Sequence, residues 1–146
     1  GPLLIASAAT APGVKPIAAL AIKSGPASSG RTSAGSGGLG EAVIVGDLVF
    51  LAGQVADDIT ADITVQTQQV LGHIDSILAQ LGGSKADIAS VQVWLADMAD
   101  FAAMNAIWDA WVDRANPPAR ATGGVPLARR GMRVEMIVIA RNPATA

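Results

Sequence analysis

Two segments of the chain carry apolar residues at the three- and four-residue spacing of an amphipathic helix. The first covers residues 62–81, with Asp62 placed to cap its first turn and Gly82-Gly83 placed to end it. The second is predicted to begin after Asp100, its expected cap, and to end at Asn116-Pro117-Pro118, because proline disfavours a helical residue before it. The apolar positions are Val70, Ile74, Ile77, Leu78 and Leu81 in the first helix, and Phe101, Met104, Ile107, Trp108 and Trp111 in the second.

Strands are predicted where apolar residues form short runs or alternate with other residues. Residues 41–45 and 48–54 are two such runs, separated by a Gly-Asp pair that suits a tight hairpin turn. Residues 88–95 and 132–141 alternate more strictly, and residues 120–126 form a short extended piece. An extra N-terminal strand is expected within residues 17–22. This order predicts an α+β fold in which one mixed β-sheet is packed by two helices on one face.

The predicted sheet has a second face that also needs cover. The last strand places Val134, Met136, Val138 and Ala140 on one side, and Ile137 and Ile139, with Phe50, on the other. Because no further element is available to cover that second side, oligomerisation is the natural way to bury it.

The first forty residues differ from the rest, since they are rich in Ala, Gly, Ser and Pro and carry almost no charge. We therefore divide the chain into an atypical N-terminal segment, residues 1–40, and a folded domain, residues 41–146. Gly1-Pro2 resembles the remnant left by a site-specific protease, and residues 3–11 could also be the end of a leader. No apolar run reaches the length of about 18 residues that a membrane span needs. We expect a cytoplasmic protein without a membrane partner.

The amino-acid composition excludes several kinds of catalytic and metal site. The 146 residues include no Cys and one His, which removes disulfides, thiol catalysis and a multi-His metal site, so we expect no metal and no cofactor. A net charge of −2 makes nucleic acid an unlikely partner. His73 lies beside the apolar helix stripe and is interpreted as structural. The basic cluster of Arg129, Arg130 and Arg133 is interpreted as a solvated edge.

Four positions are candidates for a site, each with a plainer alternative. Arg120 follows a stiff Pro-Pro segment and could fork onto a carboxylate, or it could be a surface arginine after a turn. Glu135 stands in an apolar strand, where a carboxylate is either functional or paired with an arginine. The backbone around Thr122 could be open to a ligand because two glycines follow, or it could be a bulged edge strand. Gly53 could border a site or simply form a turn.

Short motifs in a fixed order between residues 41 and 141 resemble the Rid family, also called YjgF/YER057c/UK114. They occupy residues 45–54, 66–71, 93–101, 105, 117–120, 134–136 and 139–140, and the Pro-Pro-Ala-Arg segment at 117–120 is the most specific. The resemblance implies a chorismate-mutase-like fold and a homotrimer with its sites between subunits. It also implies hydrolysis of reactive enamines and imines such as 2-aminoacrylate to 2-keto acids and ammonia.

The resemblance also assigns roles to individual positions. Arg120 matches the residue that binds the substrate carboxylate, and Glu135, fifteen residues later, matches the one that positions water. The backbone of Thr122 matches a substrate contact, Asn105 a residue beside the pocket, and Gly53 the strand turn at its border. Leu39 stands where many members carry a Tyr that closes the pocket, and Ala52 where a hydroxyl residue is common.

Two other functions remain open at this point. The chain could be a regulatory trimer whose Arg120 pocket captures a keto acid or an amino acid without turnover. Relatives are also described as translation inhibitors with ribonuclease activity, but the low charge of this chain gives that option the least support.

Overall fold

The computed structural model describes residues 20–23 and 41–145, and within them seven strands form one mixed sheet. The strands are β1 Leu20–Lys23, β2 Ala42–Val45, β3 Leu48–Leu51, β4 Gln54–Val55, β5 Ile88–Leu95, β6 Ala119–Gly124 and β7 Val134–Arg141. Their order across the sheet is β1-β2-β3-β7-β5-β6, and β4 pairs with β7 beside β3. The β1–β2 and β5–β6 pairs are parallel and the other pairs are antiparallel. The predicted mixed sheet is confirmed.

The predicted hairpin between the first two runs is also confirmed, but its second strand is shorter than expected. Gly46 has φ +56°, which suits glycine in a tight turn. The run at 48–54 is divided, because Phe50 pairs with Ile139 whereas Gln54 pairs with Met136. One strand therefore advances four residues while its partner advances three, which is a β-bulge ending at Gly53. The last strand also starts two residues later than predicted, and residues 17–19 of the predicted N-terminal strand lie outside the described residues.

Helix α1, Ile63–Gln80, agrees closely with its prediction. The Asp62 carboxylate accepts a hydrogen bond from the Val65 backbone N–H at 2.9 Å, as expected of an N-cap. After the helix, Gly82 adopts φ +85° and the Gly83 N–H donates to the Leu78 carbonyl at 2.9 Å. These bonds satisfy backbone groups that the helix ends would otherwise leave unpaired.

Helix α2, Phe101–Trp111, differs from its prediction at both ends. Asp100 makes no side-chain capping bond, because it belongs to a short 3₁₀ turn, Met98–Asp100, which Asp97 caps through the Ala99 N–H at 2.9 Å. The helix ends five residues before Asn116. At that end Lys85 donates to the Trp111 carbonyl, which satisfies a terminal acceptor and lets the chain turn into an extended conformation.

Both helices pack on one face of the sheet, and the core lies between the two layers. The predicted inward face of β7 is confirmed, since its four alternating residues are fully buried. The buried apolar residues of strands β2 to β7 are Ala42, Ile44, Val49, Leu51, Ile88, Val91, Val93, Leu95, Val134, Met136, Val138 and Ala140.

The second face, which we call the open face, stays partly exposed in the protomer. Cross-strand pairing brings Val43, Phe50 and Ile139 into one apolar row, and Phe50 is 39% exposed. Ile137 and Trp94 continue this surface. Neither helix of the described chain is long and apolar enough to cross a membrane.

Candidate active site

Arg120 lies on β6, the strand at one edge of the sheet. The Pro117-Pro118 pair leads directly into this strand, which fixes the chain before the arginine. β6 pairs in parallel with β5, so that Arg120 is opposite Val91 and Thr122 is opposite Val93. Because those two valines are buried beneath the helices, Arg120 and Thr122 point to the helix-covered side of the sheet.

The Arg120 guanidinium lies against two aromatic rings of α2. Its Cζ is 5.1 Å from the ring centroid of Trp108 and 6.0 Å from that of Phe101, within the range of a cation–π contact. No carboxylate of the described residues pairs with it, and its buried Nη1 has no hydrogen-bond partner there. The Arg120 guanidinium is thus half-buried, lies against two rings and has an unpaired N–H. This environment differs from that of a surface arginine after a turn.

Thr122 adds a second unpaired polar atom on the same side. Its Oγ1 is buried and, within the described residues, has no hydrogen-bond partner. Residues two apart in a strand lie on one face, roughly 7 Å apart, so this oxygen and the guanidinium border the same space. The family resemblance assigned a substrate contact to the Thr122 backbone, whereas the structure presents its side-chain oxygen on this side as well. Buried polar atoms without partners are costly, which makes this pair a natural place for a polar ligand.

Asn105 stands on the same stripe of α2 as the two rings. It follows Phe101 by four residues and precedes Trp108 by three, positions that share one side of a helix. Its Nδ2 donates to the Asp109 carboxylate at 3.4 Å. We call Arg120, Thr122, Asn105 and the two rings the arginine half-site.

Glu135 stands on the open face, because it alternates with the buried Val134 and Met136. Its neighbours across the sheet are Trp94 and Val55. Partial burial raises the pKa of the Glu135 carboxyl above its usual value. The alternative that an arginine pairs with Glu135 is wrong for the described residues, since none of their ion pairs includes Glu135, and the nearby Arg133 pairs with Asp100 at 3.4 Å.

Gly53 explains how the carboxylate is accommodated. A Cβ on Gly53 would lie 3.0 Å from the Glu135 carboxyl carbon and 3.2 Å from each carboxylate oxygen. The bulge therefore lets the backbone approach Glu135 in a way that a side chain would obstruct. Glu135, Gly53 and Trp94 form what we call the glutamate half-site. Ala52, in the same bulge, donates its N–H to the Glu41 carbonyl at 2.9 Å. Leu39 lies outside the described residues.

The two half-sites are far apart within one protomer. Two strand spacings of about 4.8 Å separate β6 from β7, and the paired positions differ by three residues of about 3.3 Å each. The Cα atoms of Arg120 and Glu135 are therefore roughly 14 Å apart, and their side chains leave opposite faces of the sheet. A small molecule held by Arg120 does not reach Glu135 of the same chain.

Two contributions to the site were missed in the sequence. Trp108 was interpreted as a packing residue, yet its ring also supports Arg120. Gln66 was noted only as part of a motif, yet its fully buried amide holds the loop before β7 through Gly131 and Arg133. The sequence signal that could have revealed this buried amide is the position of Gln66 on the apolar side of α1, four residues before Val70.

His73, expected to be structural, contacts Asp57 at 3.2 Å near the surface.

Among residues 20–23 and 41–145 there is no group of three or more His, Asp or Glu side chains that could hold a metal ion. The two half-sites present an unpaired guanidinium N–H, an unpaired hydroxyl group and a carboxylate of raised pKa.

Fold and half-sites define a small α+β protein whose arginine is available to an anionic ligand. The chain belongs to the Rid family, also called YjgF/YER057c/UK114, whose family model, described as Endoribonuclease L-PSP, matches residues 32–142. A RutC family protein of Haemophilus influenzae is 44% identical over 103 residues, which cover 70% of this chain and 89% of the relative.

Solved structures agree with this assignment. A YjgF family member from Neisseria meningitidis has 40% identity and a TM-score of 0.68, covering 71% of this chain and 87% of its own. RidA from the Antarctic bacterium Psychrobacter has 32% identity and a TM-score of 0.67, covering 74% and 91%.

Proposed function

We propose that the protein hydrolyses reactive enamines and imines of the 2-aminoacrylate type to 2-keto acids and ammonia. The observation that carries the proposal is the pair of buried polar atoms without partners, Arg120 Nη1 and Thr122 Oγ1, on one face of an edge strand. An imine of a 2-keto acid supplies a carboxylate for the first atom and a nitrogen for the second. Membership of the Rid family and similarity to a solved RidA support the same reaction.

In the proposed reaction, Arg120 binds the substrate carboxylate with two parallel N–H donors and so fixes the imine carbon. A water held by Glu135 adds to that carbon, and the carboxylate accepts the proton that the water loses. Glu135 passes that proton to the former imine nitrogen, which gives the neutral carbinolamine. The carbinolamine OH then loses its proton to the nitrogen as the C–N bond breaks, so that the nitrogen leaves as ammonia and the keto group forms. Because an imine is already electrophilic, these groups suffice without a cofactor.

The reaction requires both half-sites, so we propose that they meet between subunits of a homotrimer. Arg120 of one protomer would face Glu135 of its neighbour, since the two cannot meet within one chain. The apolar open face supplies a reason to assemble, because Phe50, Ile137 and Ile139 are only partly covered in the protomer.

We propose the cytoplasm as the compartment, which fractionation of source cells would test.

The first experiment compares the wild type with Arg120→Met and Glu135→Gln on freshly generated 2-aminoacrylate and its imine. Methionine keeps an apolar stem against Trp108 but removes the charge, and glutamine keeps the shape of Glu135. Arg129→Met is the matched control, because Arg129 is exposed and outside both half-sites. Release of keto acid and ammonia should be accelerated by the wild type and the control, and lost in both half-site variants.

Mixing the two inactive variants tests the shared site. After dissociation and reassembly of an equal mixture, an interface has its Arg120 donor and its Glu135 donor intact in about one case in four, by random pairing of subunits. The mixture should therefore recover roughly a quarter of the wild-type rate. Recovery of no activity would reject the arrangement between subunits.

Other outcomes of the same assays identify the alternatives. Binding of 2-keto acids without any imine turnover would favour a regulatory trimer. RNA cleavage that weakens steeply with salt would favour a ribonuclease, the activity named in the description of the family model.

A further inference from the structure

An apolar strip continues from the arginine half-site along β6. Beyond Thr122, the next residue on the same face is Gly124, which pairs with the buried Leu95. A Cβ on Gly124 would lie 3.2 Å from Met98 Cγ and 3.7 Å from Met98 Sδ, so the Met98 side chain lies directly over this glycine.

The strand and the segment above it run side by side in opposite chain directions. Phe101 faces Arg120, with 6.0 Å between its ring centroid and the guanidinium Cζ, and Met98, three residues earlier, faces Gly124. Both apolar side chains remain accessible, since Phe101 is 38% exposed and Met98 is 46% exposed. A molecule whose carboxylate is held at Arg120 and which extends past Thr122 therefore meets Met98.

The arginine beside this strip at the start of α2 is already neutralised by an ion pair. Arg133, the arginine attached to this end of α2, is paired with Asp100 at 3.4 Å. The exposed apolar surface and the neutralised arginine together favour an uncharged aliphatic group over an acidic one.

We propose that the strip formed by Phe101, Met98 and the bare backbone of Gly124 receives the side chain of the imine substrate. The preferred substrates are then imines of 2-keto acids with longer unbranched aliphatic chains, and Met98 sets the preference. This inference rests on the proposed function for the position of the carboxylate at Arg120, and it adds the substrate class.

The test measures kcat/KM for a series of imines generated from alanine, 2-aminobutyrate, norvaline and norleucine, with iminosuccinate as the acidic comparison. Each added methylene should raise kcat/KM about fourfold, the equivalent of about 0.8 kcal/mol. In Met98→Ala the ratio of the six-carbon to the three-carbon substrate should fall about tenfold, and Met98→Leu should restore most of it. Val65→Ala is the matched control, since Val65 is 38% exposed but lies on α1.

The same series of unreactive 2-keto acids is titrated by calorimetry, so that a result is obtained even without turnover. A Kd that falls with chain length in the wild type and not in Met98→Ala supports the strip, even where no imine is hydrolysed and the proposed function is thereby rejected. Equal chain-length ratios in the wild type and Met98→Ala, or a preference for iminosuccinate, would overturn the inference while leaving the deaminase proposal in place.

Discussion

Gln66→Ala should be among the most destabilising single changes in this protein, although glutamine is polar and common on surfaces. The side chain is fully buried on α1. Its Nε2 donates to the carbonyls of Ala61 at 3.0 Å and Gly131 at 2.9 Å, and its Oε1 accepts from the Arg133 N–H at 2.9 Å. The amide therefore joins the start of α1 to the loop that leads into β7.

The magnitude follows from those three bonds. Each contributes about 1 kcal/mol net, and a buried backbone group left without a partner costs about 1–3 kcal/mol. We therefore expect Gln66→Ala to lower the free energy of unfolding by about 3–5 kcal/mol, a large part of the roughly 5–15 kcal/mol that holds a typical domain. At roughly 4–5 °C per kcal/mol for a domain of this size, Tm should fall by roughly 12–25 °C.

The assay is urea and thermal unfolding followed by circular dichroism, at one fixed protomer concentration because assembly would otherwise change the apparent stability. Gln68→Ala is the matched control, since it makes the same chemical change on the same helix at an exposed position. The control should stay within about 0.5 kcal/mol of the wild type. If Gln66→Ala also stayed within 1 kcal/mol of Gln68→Ala, the proposed tether would be refuted.

Three further predictions concern the half-sites and the caps. Gly53→Ala should keep the fold but lower kcat for imine hydrolysis about tenfold or more, because the new Cβ would displace the Glu135 carboxylate by a few tenths of an ångström. Unchanged kinetics would contradict the close approach of the Gly53 backbone to Glu135. Burial raises the pKa of the Glu135 carboxyl in the folded protein. The protonated carboxyl therefore favours the folded state at a pH below the pKa that Glu135 has in the unfolded chain, and this contribution is lost as pH rises through the folded pKa. In urea titrations, Glu135→Gln should be more stable than the wild type at pH 7 and should lose that advantage near pH 4. Asp62→Ala should lower the free energy of unfolding by about 1 kcal/mol, because it removes a capping hydrogen bond. Asp100→Ala should lower it by about 0.5 kcal/mol or less, because Asp100 makes no capping bond and only an ion pair with Arg133 is lost. Equal losses of stability in thermal unfolding would contradict the assignment of the cap.

The sequence was sufficient for elements whose boundaries depend on local chemistry. α1 has both a side-chain cap and a Gly-Gly stop, and β5 begins and ends where its alternation does. The end of α2 could not be predicted from the Pro-Pro pair, because it depends on Lys85, which comes from before β5 and binds the last helical carbonyl. Gly53 was expected either to border a site or to form a turn, but the carboxylate that lies against it belongs to Glu135, 82 residues later in the chain.

The sequence was likewise sufficient for one residue of the candidate site and insufficient for the other. The face of Glu135 could be inferred from the apolar residues on either side of it, since strand alternation is regular in β7. The face of Arg120 could not, because β6 contains only small residues and threonine beside the arginine and has no apolar alternation. Its direction became known only through pairing with Val91 on the neighbouring strand. The fifteen-residue spacing does not reveal that the register places Arg120 and Glu135 on opposite faces of the sheet.

This opposition links the proposed catalysis to assembly. Glu135 stands on the open face whose apolar residues favour contact with another subunit, so covering that face also removes water from around the carboxylate. Dilution below the assembly threshold should lower the specific activity, because Arg120 and Glu135 of one chain lie on opposite faces of the sheet and cannot reach one substrate. A specific activity that is independent of protomer concentration down to the monomer would contradict this coupling.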